Sequence, residues 1–271
     1  MARAEKRGIP TFSVTRSGFA TVVRNQFLGE GFAPDAALYE FPLDMFVPGS
    51  DLTPLEKNID KLIDGLTGWQ PRVTGRAAEA PPRVNIEGKD YDDAVTKMNL
   101  AFLRNKWGDG LPIVPATEER VNWLLTGTDL SRDTVVGVIP PIARVATVES
   151  LAVSLAMTGG RPEYMPVLIA AIQAFVDPKQ RASKWQATTA NVCPAVIVNG
   201  PIGKQIRLNS RHGCLGPDPA HHAGGCIGRA IRLIQQDIGG AVPGSGTMSV
   251  YGGPARYTNV VFAEDEDGLP A

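Results

Sequence analysis

Apolar residues recur in this chain with two periods, and their alternation predicts the order of elements. Residues 9–15 (IPTFSVT) predict a buried strand, and residues 17–29 a helix with Phe19, Val22, Val23 and Phe27 at helical spacing. Residues 37–42 (ALYEFP) are a second strand-like run. Thr53 and Pro54 suit the N-cap and first position of a helix, whose Leu55, Ile59, Leu62, Ile63 and Leu66 share one face. Strand–helix–strand–helix begins a parallel α/β layer, but two strands leave its sheet incomplete. Residues 1–70 are therefore expected to form a partial lobe that completes itself against a partner.

Residues 71–83 are Pro-rich and aperiodic, which is linker composition. Residues 84–271 predict a larger α/β domain. Its first helix, Tyr91–Lys106, carries Ala94, Met98, Ala101 and Phe102 on one face. A Gly-rich loop, GDGLPIVPAT, leads to a helix capped by Thr117 with Glu118 and Glu119 in its first turn. A strand over TVVGVIPP follows, then a helix from Thr147 to about Met157 and another from Pro162 to the Asp177-Pro178 stop. AVIVNGP, after Cys193, predicts a strand. Residues 226–238 predict an amphipathic helix with Ile227, Ala230, Ile231, Ile234 and Ile238 inward, and 257–263 a last strand before an acidic run, Glu264–Asp267. No internal repeat is visible.

Composition narrows the class. With 271 residues, 43% hydrophobic and 20% charged, the chain is expected to be a soluble globular protein with ample core. A formal net charge of −1 offers no electrostatic reason for a nucleic-acid or anionic-membrane partner. No apolar run approaches the roughly 20 residues of a membrane span, and the charged start does not resemble a secretory signal. Three cysteines do not suggest a disulfide framework, so a cytoplasmic setting is expected.

One pattern carries candidate chemistry. All three histidines and all three cysteines fall between Cys193 and Cys226: Cys193, His212, Cys214, His221, His222 and Cys226. Chance would confine six residues this tightly with a probability on the order of 10⁻⁴. Thiolate and imidazole bind borderline metals and are also the nucleophile and proton carrier best suited to neutral pH. The spacing is not that of a zinc finger or ribbon, yet the Pro- and Gly-rich loop RHGCLGPDPAHHAGGC is long enough to fold several of these side chains round one ion. Zinc or iron, with copper as a further choice, suits these donors; an iron–sulfur cluster fits less well because the spacing is unlike the ferredoxin runs. Alternatives stand beside each residue. Cys193 precedes an apolar strand and could be a small core hydrophobe, His212 an exposed loop residue. Cys226 follows Gly224-Gly225 at the expected start of a helix, where free N–H groups would lower a thiol pKa and make it a nucleophile without metal. A Cys214–Cys226 disulfide is a further option. Gly224 and Gly225 would let backbone amides approach an anion, with Arg229 and Arg232 nearby for a carboxylate. Asp109 and Glu163 are each either an acid of the site or a plain turn and first-turn residue. GDGLPIVP lacks the Lys-Ser/Thr of a P-loop, and no dinucleotide fingerprint or Ser-His-Asp arrangement is legible.

The stretch AEKRGIPTFSVTRSGFATV…LYEFPLDMFVPGSDLTPLEKNIDKLIDGL resembles the carboxyl-terminal part of selenoprotein B subunits of glycine, sarcosine and betaine reductases, and of related UGSC-motif (seleno)proteins. WGDGLPIVPATEERV, VIPP, GGRPEYMPVLIAA, QATT, VNGPI, CIGRAIRL and YTNVVFAEDED are similar to sequences associated with the same family. The resemblance implies a Rossmann- or flavodoxin-like first lobe and reductive or eliminative cleavage of a carbon–heteroatom bond. It covers most of the chain but brings no settled reaction for the second part. The family's Sec/Cys-Gly-Ser-Cys motif lies ahead of the GIP strand and is absent here. Either a companion subunit carrying the motif supplies the reactive selenol or thiol, or the 193–226 cluster replaces it; with the incomplete first lobe, a hetero-oligomeric enzyme acting on a small molecule is expected. Within it Cys226, His221 and His222 would be catalytic, and Gly224, Gly225 and Arg229 would bind substrate. Two other readings remain: a non-catalytic partner subunit with a structural metal, and a zinc-dependent hydrolase.

Overall fold

The structure, a computed structural model, describes residues 1–73, 82–252 and 259–268. A short helix α1 (Ala2–Glu5) precedes β1 (Ser13–Arg16), α2 (Ala20–Gly29) and β2 (Leu38–Phe41). β1 and β2 pair in parallel, Ser13 opposite Leu38 and Arg16 opposite Phe41, so the first lobe contains a β–α–β unit. Phe27 and Phe32 pack with Trp69 to fill its small core. The helix expected from Thr53 is broken in two. Thr53 does not cap it: the N-cap position falls at Leu52, which makes no capping hydrogen bond, and Asp51 Oδ1 accepts both the Thr53 N–H and its hydroxyl. α3 (Thr53–Glu56) ends at Lys57, and α4 (Ile59–Thr67) begins anew. Ile59, Ile63 and Leu66, expected inward, are exposed. Arg72 and Val73, in the expected linker, fold back on the lobe through the Arg72–Asp35 ion pair and a bridge from Val73 to Phe32; residues 74–81 lie outside the described residues.

In the second part, Asp90 caps α5 (Tyr91–Asn105) and Thr117 caps α6 (Glu118–Leu125), each accepting the N–H three residues on. β3 (Val135–Ile139) and β4 (Arg144–Thr147) form an antiparallel hairpin. Thr147 and Ser150 then make a reciprocal capping box that starts α7 (Val148–Met157). α8 (Met165–Val176) begins with Pro166 in its first turn, and α9 (Ala182–Gln186) is a short helix beyond it. β5 (Ala195–Val198) leads into α10 (Pro201–Gln205), then a long loop into α11 (His222–Leu233), whose last turn widens to a π-helix over Ile234–Ile238. β6 (Val260–Ala263) returns to pair with β5 in parallel, Ala195 opposite Val260.

The strands thus form three two-stranded sheets, two parallel and one antiparallel, in a mixed α/β fold. What holds the second part together is helical. Leu151, Leu155, Leu168, Ile172, Ile227 and Ile231 are fully or almost fully buried in one core, so α7, α8 and α11 meet through their apolar stripes. The N-terminal lobe touches this body through α2: Asn25 Nδ2 donates to the Ser245 carbonyl, and a Cβ on Gly29 would lie 2.6 Å from the Pro141 carbonyl. No helix among the described residues is long and apolar enough to cross a membrane.

Candidate functional site

α11 begins at His222, four residues earlier than its apolar pattern suggests. Asp218 organises the approach: its carbonyl accepts the His221 N–H, and its Oδ1 accepts the Ala220 N–H. Its Oδ2 meets His221 Nδ1 and accepts from Asn209 Nδ2 at 3.2 Å. The His221 hydrogen bond holds the Asp218 carboxyl below the usual carboxylate range. Asn209, itself buried, also donates to the His212 carbonyl and accepts the Arg211 N–H. The loop is therefore fixed by polar contacts, and His221 is committed to Asp218.

His222 and Cys226 stand one helical turn apart on the same face. Cys226 Sγ lies 3.3 Å from His222 Nε2 and 3.1 Å from the Thr158 carbonyl, to which the thiol donates. Tyr164 Oη lies 3.5 Å from His222 Nδ1, the outer limit of a hydrogen bond. With the imidazole proton on Nε2 the set is self-consistent: the Tyr164 hydroxyl donates to Nδ1, Nε2–H to the sulfur, and the thiol to Thr158. Cys226 is only 5% exposed, whereas the His222 ring is exposed. Burial pushes the Cys226 thiol up, against weaker opposing pulls from the Thr158 hydrogen bond and from Arg229 and Arg161. The lowered thiol expected from a helix start is thus corrected: Cys226 sits in the second turn, beyond the free N–H groups, and desolvation wins. Tyr164 is likewise raised, chiefly by burial.

In front of His222 opens a cleft of about 380 Å³, whose polar lining is Arg161, Glu163, Tyr164, Gln205, Arg207 and His222. A hollow of about 400 Å³ in the N-terminal lobe, under Phe12, Tyr39, Lys61 and Trp69, holds neither cysteine nor histidine.

The remaining sequence-predicted residues go elsewhere. A Cβ on Gly224 would fall 2.6 Å from the Val261 carbonyl, so this glycine lets α11 lie against β6. A Cβ on Gly225 would make only ordinary contact with Pro217. Arg229, expected to bind substrate, spends its guanidinium on Asp109 through Nε–Oδ2 at 2.7 Å and Nη2–Oδ1 at 2.9 Å, and on the Pro112 carbonyl. Asp109 thus serves both in a turn, accepting the Leu111 N–H, and in an ion pair. Cys193 and Cys214 are half-buried, His212 is exposed, and no disulfide joins any cysteine. Among the described residues no group of three or more His, Cys, Asp and Glu is placed to hold a metal ion. Cys226 with His222 offers one thiolate and one imidazole; His221 with Asp218 offers one imidazole and one carboxylate.

Tyr164, Thr158, Arg161 and Arg207 escaped the sequence reading. The stretch GGRPEYMP stood out for its glycines and prolines, but nothing local marks Tyr164 rather than Glu163 as the residue that reaches a histidine 58 positions on.

Fold and cleft together define a mixed α/β protein with a polar surface cleft lined by His222 and Tyr164, and with the Cys226 thiol against the His222 ring. The chain matches no family model, no curated protein and no solved structure.

Proposed function

We propose that this chain is an enzyme subunit that cleaves a carbon–heteroatom bond in a small molecule by proton transfer at His222. The observation that carries the reading is the position of His222: exposed to a polar cleft, and flanked by a buried hydroxyl and a buried thiol. At 3.5 Å the Tyr164 hydroxyl holds Nδ1 loosely, so a substrate C–H can take its place. In an elimination, Nδ1 removes that proton, the double bond forms as the neighbouring carbon–heteroatom bond breaks, and the imidazolium returns the proton to the departing heteroatom. No outside reductant is needed. Tyr164, kept protonated by burial, donates a hydrogen bond to the substrate, and Cys226 orients the ring. The family resemblance of the sequence supports the same bond type.

Incubation in D₂O with a panel of small carbonyl compounds bearing β-halogen, hydroxyl, amino or thio groups tests this by NMR. Release of the β-group is expected, with formation of the α,β-unsaturated carbonyl product. No turnover of any member would contradict it.

A reductive version is favoured by the 3.3 Å approach of sulfur to Nε2. In the other tautomer, with its proton on Nδ1, His222 would take the thiol proton at Nε2, and the thiolate would displace the heteroatom group as an anion. A thiolate or selenolate from a companion's Sec/Cys-Gly-Ser-Cys motif would then attack the Cys226 sulfur. The carbon would leave with the electron pair, taking its proton from the imidazolium. Exposed Phe46, Val47, Leu52, Ile59, Ile63 and Leu66 in the N-terminal lobe support such a companion. A metal would suit the Cys226–His222 donor pair as zinc or iron, as a Lewis acid, with further ligands from the companion. Metal analysis of the complex, wild type against Cys226→Ser, tests that version.

A further inference from the structure

Two arginines in the cleft differ in how the fold treats them. Arg161 lies 3.8 Å from Glu163, a pair exposed to solvent on both sides. Arg207, also exposed, has no carboxylate partner among the described residues, so the charged side chains lining the cleft leave one positive charge without a carboxylate. Its backbone is unusual as well. α10 ends in a tight left-handed turn, in which the Leu208 N–H reaches back to the Gly203 carbonyl at 2.8 Å. The residue in the left-handed conformation is Arg207, at φ 55, a place where glycine carries no steric cost. The side chain so placed lines the cleft, and the guanidinium groups of Arg161 and Arg207 both act electrostatically on the Tyr164 hydroxyl beside His222.

We infer that Arg207 is the specificity-determining residue of the cleft, and that the substrate carries a carboxylate which Arg207 binds through its fork of N–H donors, assisted by Arg161. This rests on the reading of the cleft as the reaction site and names the class of molecule it takes. Guanidinium matches a carboxylate in shape and charge, and one monoanion balances the charge of the cleft. An amide of the same shape brings no charge to pair with the guanidinium and gains none of this attraction.

Titration of the full chain with propionate and with propionamide, followed by NMR of the histidine ring signals, tests the inference. The signal lost in His222→Asn identifies His222. Propionate is expected to move it saturably and propionamide not, with the propionate affinity falling as salt rises. Arg207→Gln should weaken propionate at least tenfold. Arg207→Gly should do the same while folding at least as well, because glycine suits the left-handed turn. Equal binding of propionamide, no saturable response to propionate, or unchanged affinity in Arg207→Gly would overturn it. Propionate binding needs no catalysis at His222. An Arg207-dependent carboxylate site with no proton transfer would therefore sink the proposed reaction alone.

Discussion

Arg229 and Asp109, 120 residues apart in sequence, meet in a two-pronged ion pair that is almost out of water, the Asp109 side chain being 3% exposed. Arg229 lies on α11 one turn beyond Cys226, so the pair fastens the loop around Gly108 to the helix that presents His222. The next turns add to the same clasp. Asp237 Oδ1 accepts the Gly108 N–H at 2.9 Å, Gln236 Nε2 donates to the Gly108 carbonyl, and Arg232 Nη2 donates to Gln236 Oε1 at 2.7 Å. Arg229, Arg232, Gln236 and Asp237 of this helix are thus used for holding.

Removing one partner of a desolvated pair strands the other's charge. Arg229→Ala is expected to cost about 3 kcal/mol in urea denaturation. Replacing Arg229 and Asp109 together by leucine should cost less than Arg229→Ala alone. Equal losses would show that the pair does not act as a unit.

Asp237 gives a pH dependence of known sign. Burial, with a smaller contribution from the Asp109 charge, raises its carboxyl from 3.8 to about 6, against the Gly108 hydrogen bond and Arg232. A carboxyl raised on folding favours the native state fully below pH 3.8, and this contribution is lost as pH rises through about 6. Asp237→Asn should therefore be more stable than wild type at pH 7.5, by up to about 3 kcal/mol, with the gap closing below pH 4. Thermal melts at both pH values check this; a gap that widens on acidification would contradict it.

Gly224 and Gly225 are neighbours in sequence with opposite surroundings. Gly224→Ala drives a methyl into the Val261 carbonyl and should destabilise by about 2 kcal/mol through separation of α11 from β6. Gly225→Ala meets only ordinary contact and should be neutral, or stabilising by up to about 1 kcal/mol through helix propensity. Chemical denaturation of the two variants side by side distinguishes them, and equal effects would contradict the packing role of Gly224.

The thiols should also separate. With Cys226 buried and its pKa raised, iodoacetamide at pH 8 should modify the half-buried Cys193 and Cys214 at least tenfold faster, read by peptide mass spectrometry. Cys226 reacting first would restore the low-pKa nucleophile.

The elements were legible where local chemistry sets them. Thr117 and Thr147 cap as their side chains dictate, Asp177-Pro178 ends α8, and the strand runs fall near 13–16, 38–41 and 195–198. The misreadings have local causes too. α4 has a clean apolar stripe, yet it faces solvent, because periodicity marks a face without saying what covers it. α11 starts early because His222 and Ala223, unmarked by any apolar period, are recruited by the Asp218 turn. Confinement of six Cys and His residues singled out one loop and one helix, but tertiary contacts divide them: His221 to Asp218, His222 to Cys226 and Tyr164. The cleft arginines come from separate segments whose meeting no single window of sequence contains.

That division is where the proposed reaction is most exposed to test. His221 and His222 are adjacent in sequence and equivalent in composition, yet only His222 faces the cleft beside Tyr164 and Cys226. The direct measurement is the rate of β-group release and of unsaturated-product formation for wild type, His221→Asn and His222→Asn. Loss of about 100-fold or more is expected in His222→Asn, with His221→Asn within a few-fold of wild type. Equal rates in wild type and His222→Asn, or a greater loss in His221→Asn, would contradict proton transfer at His222.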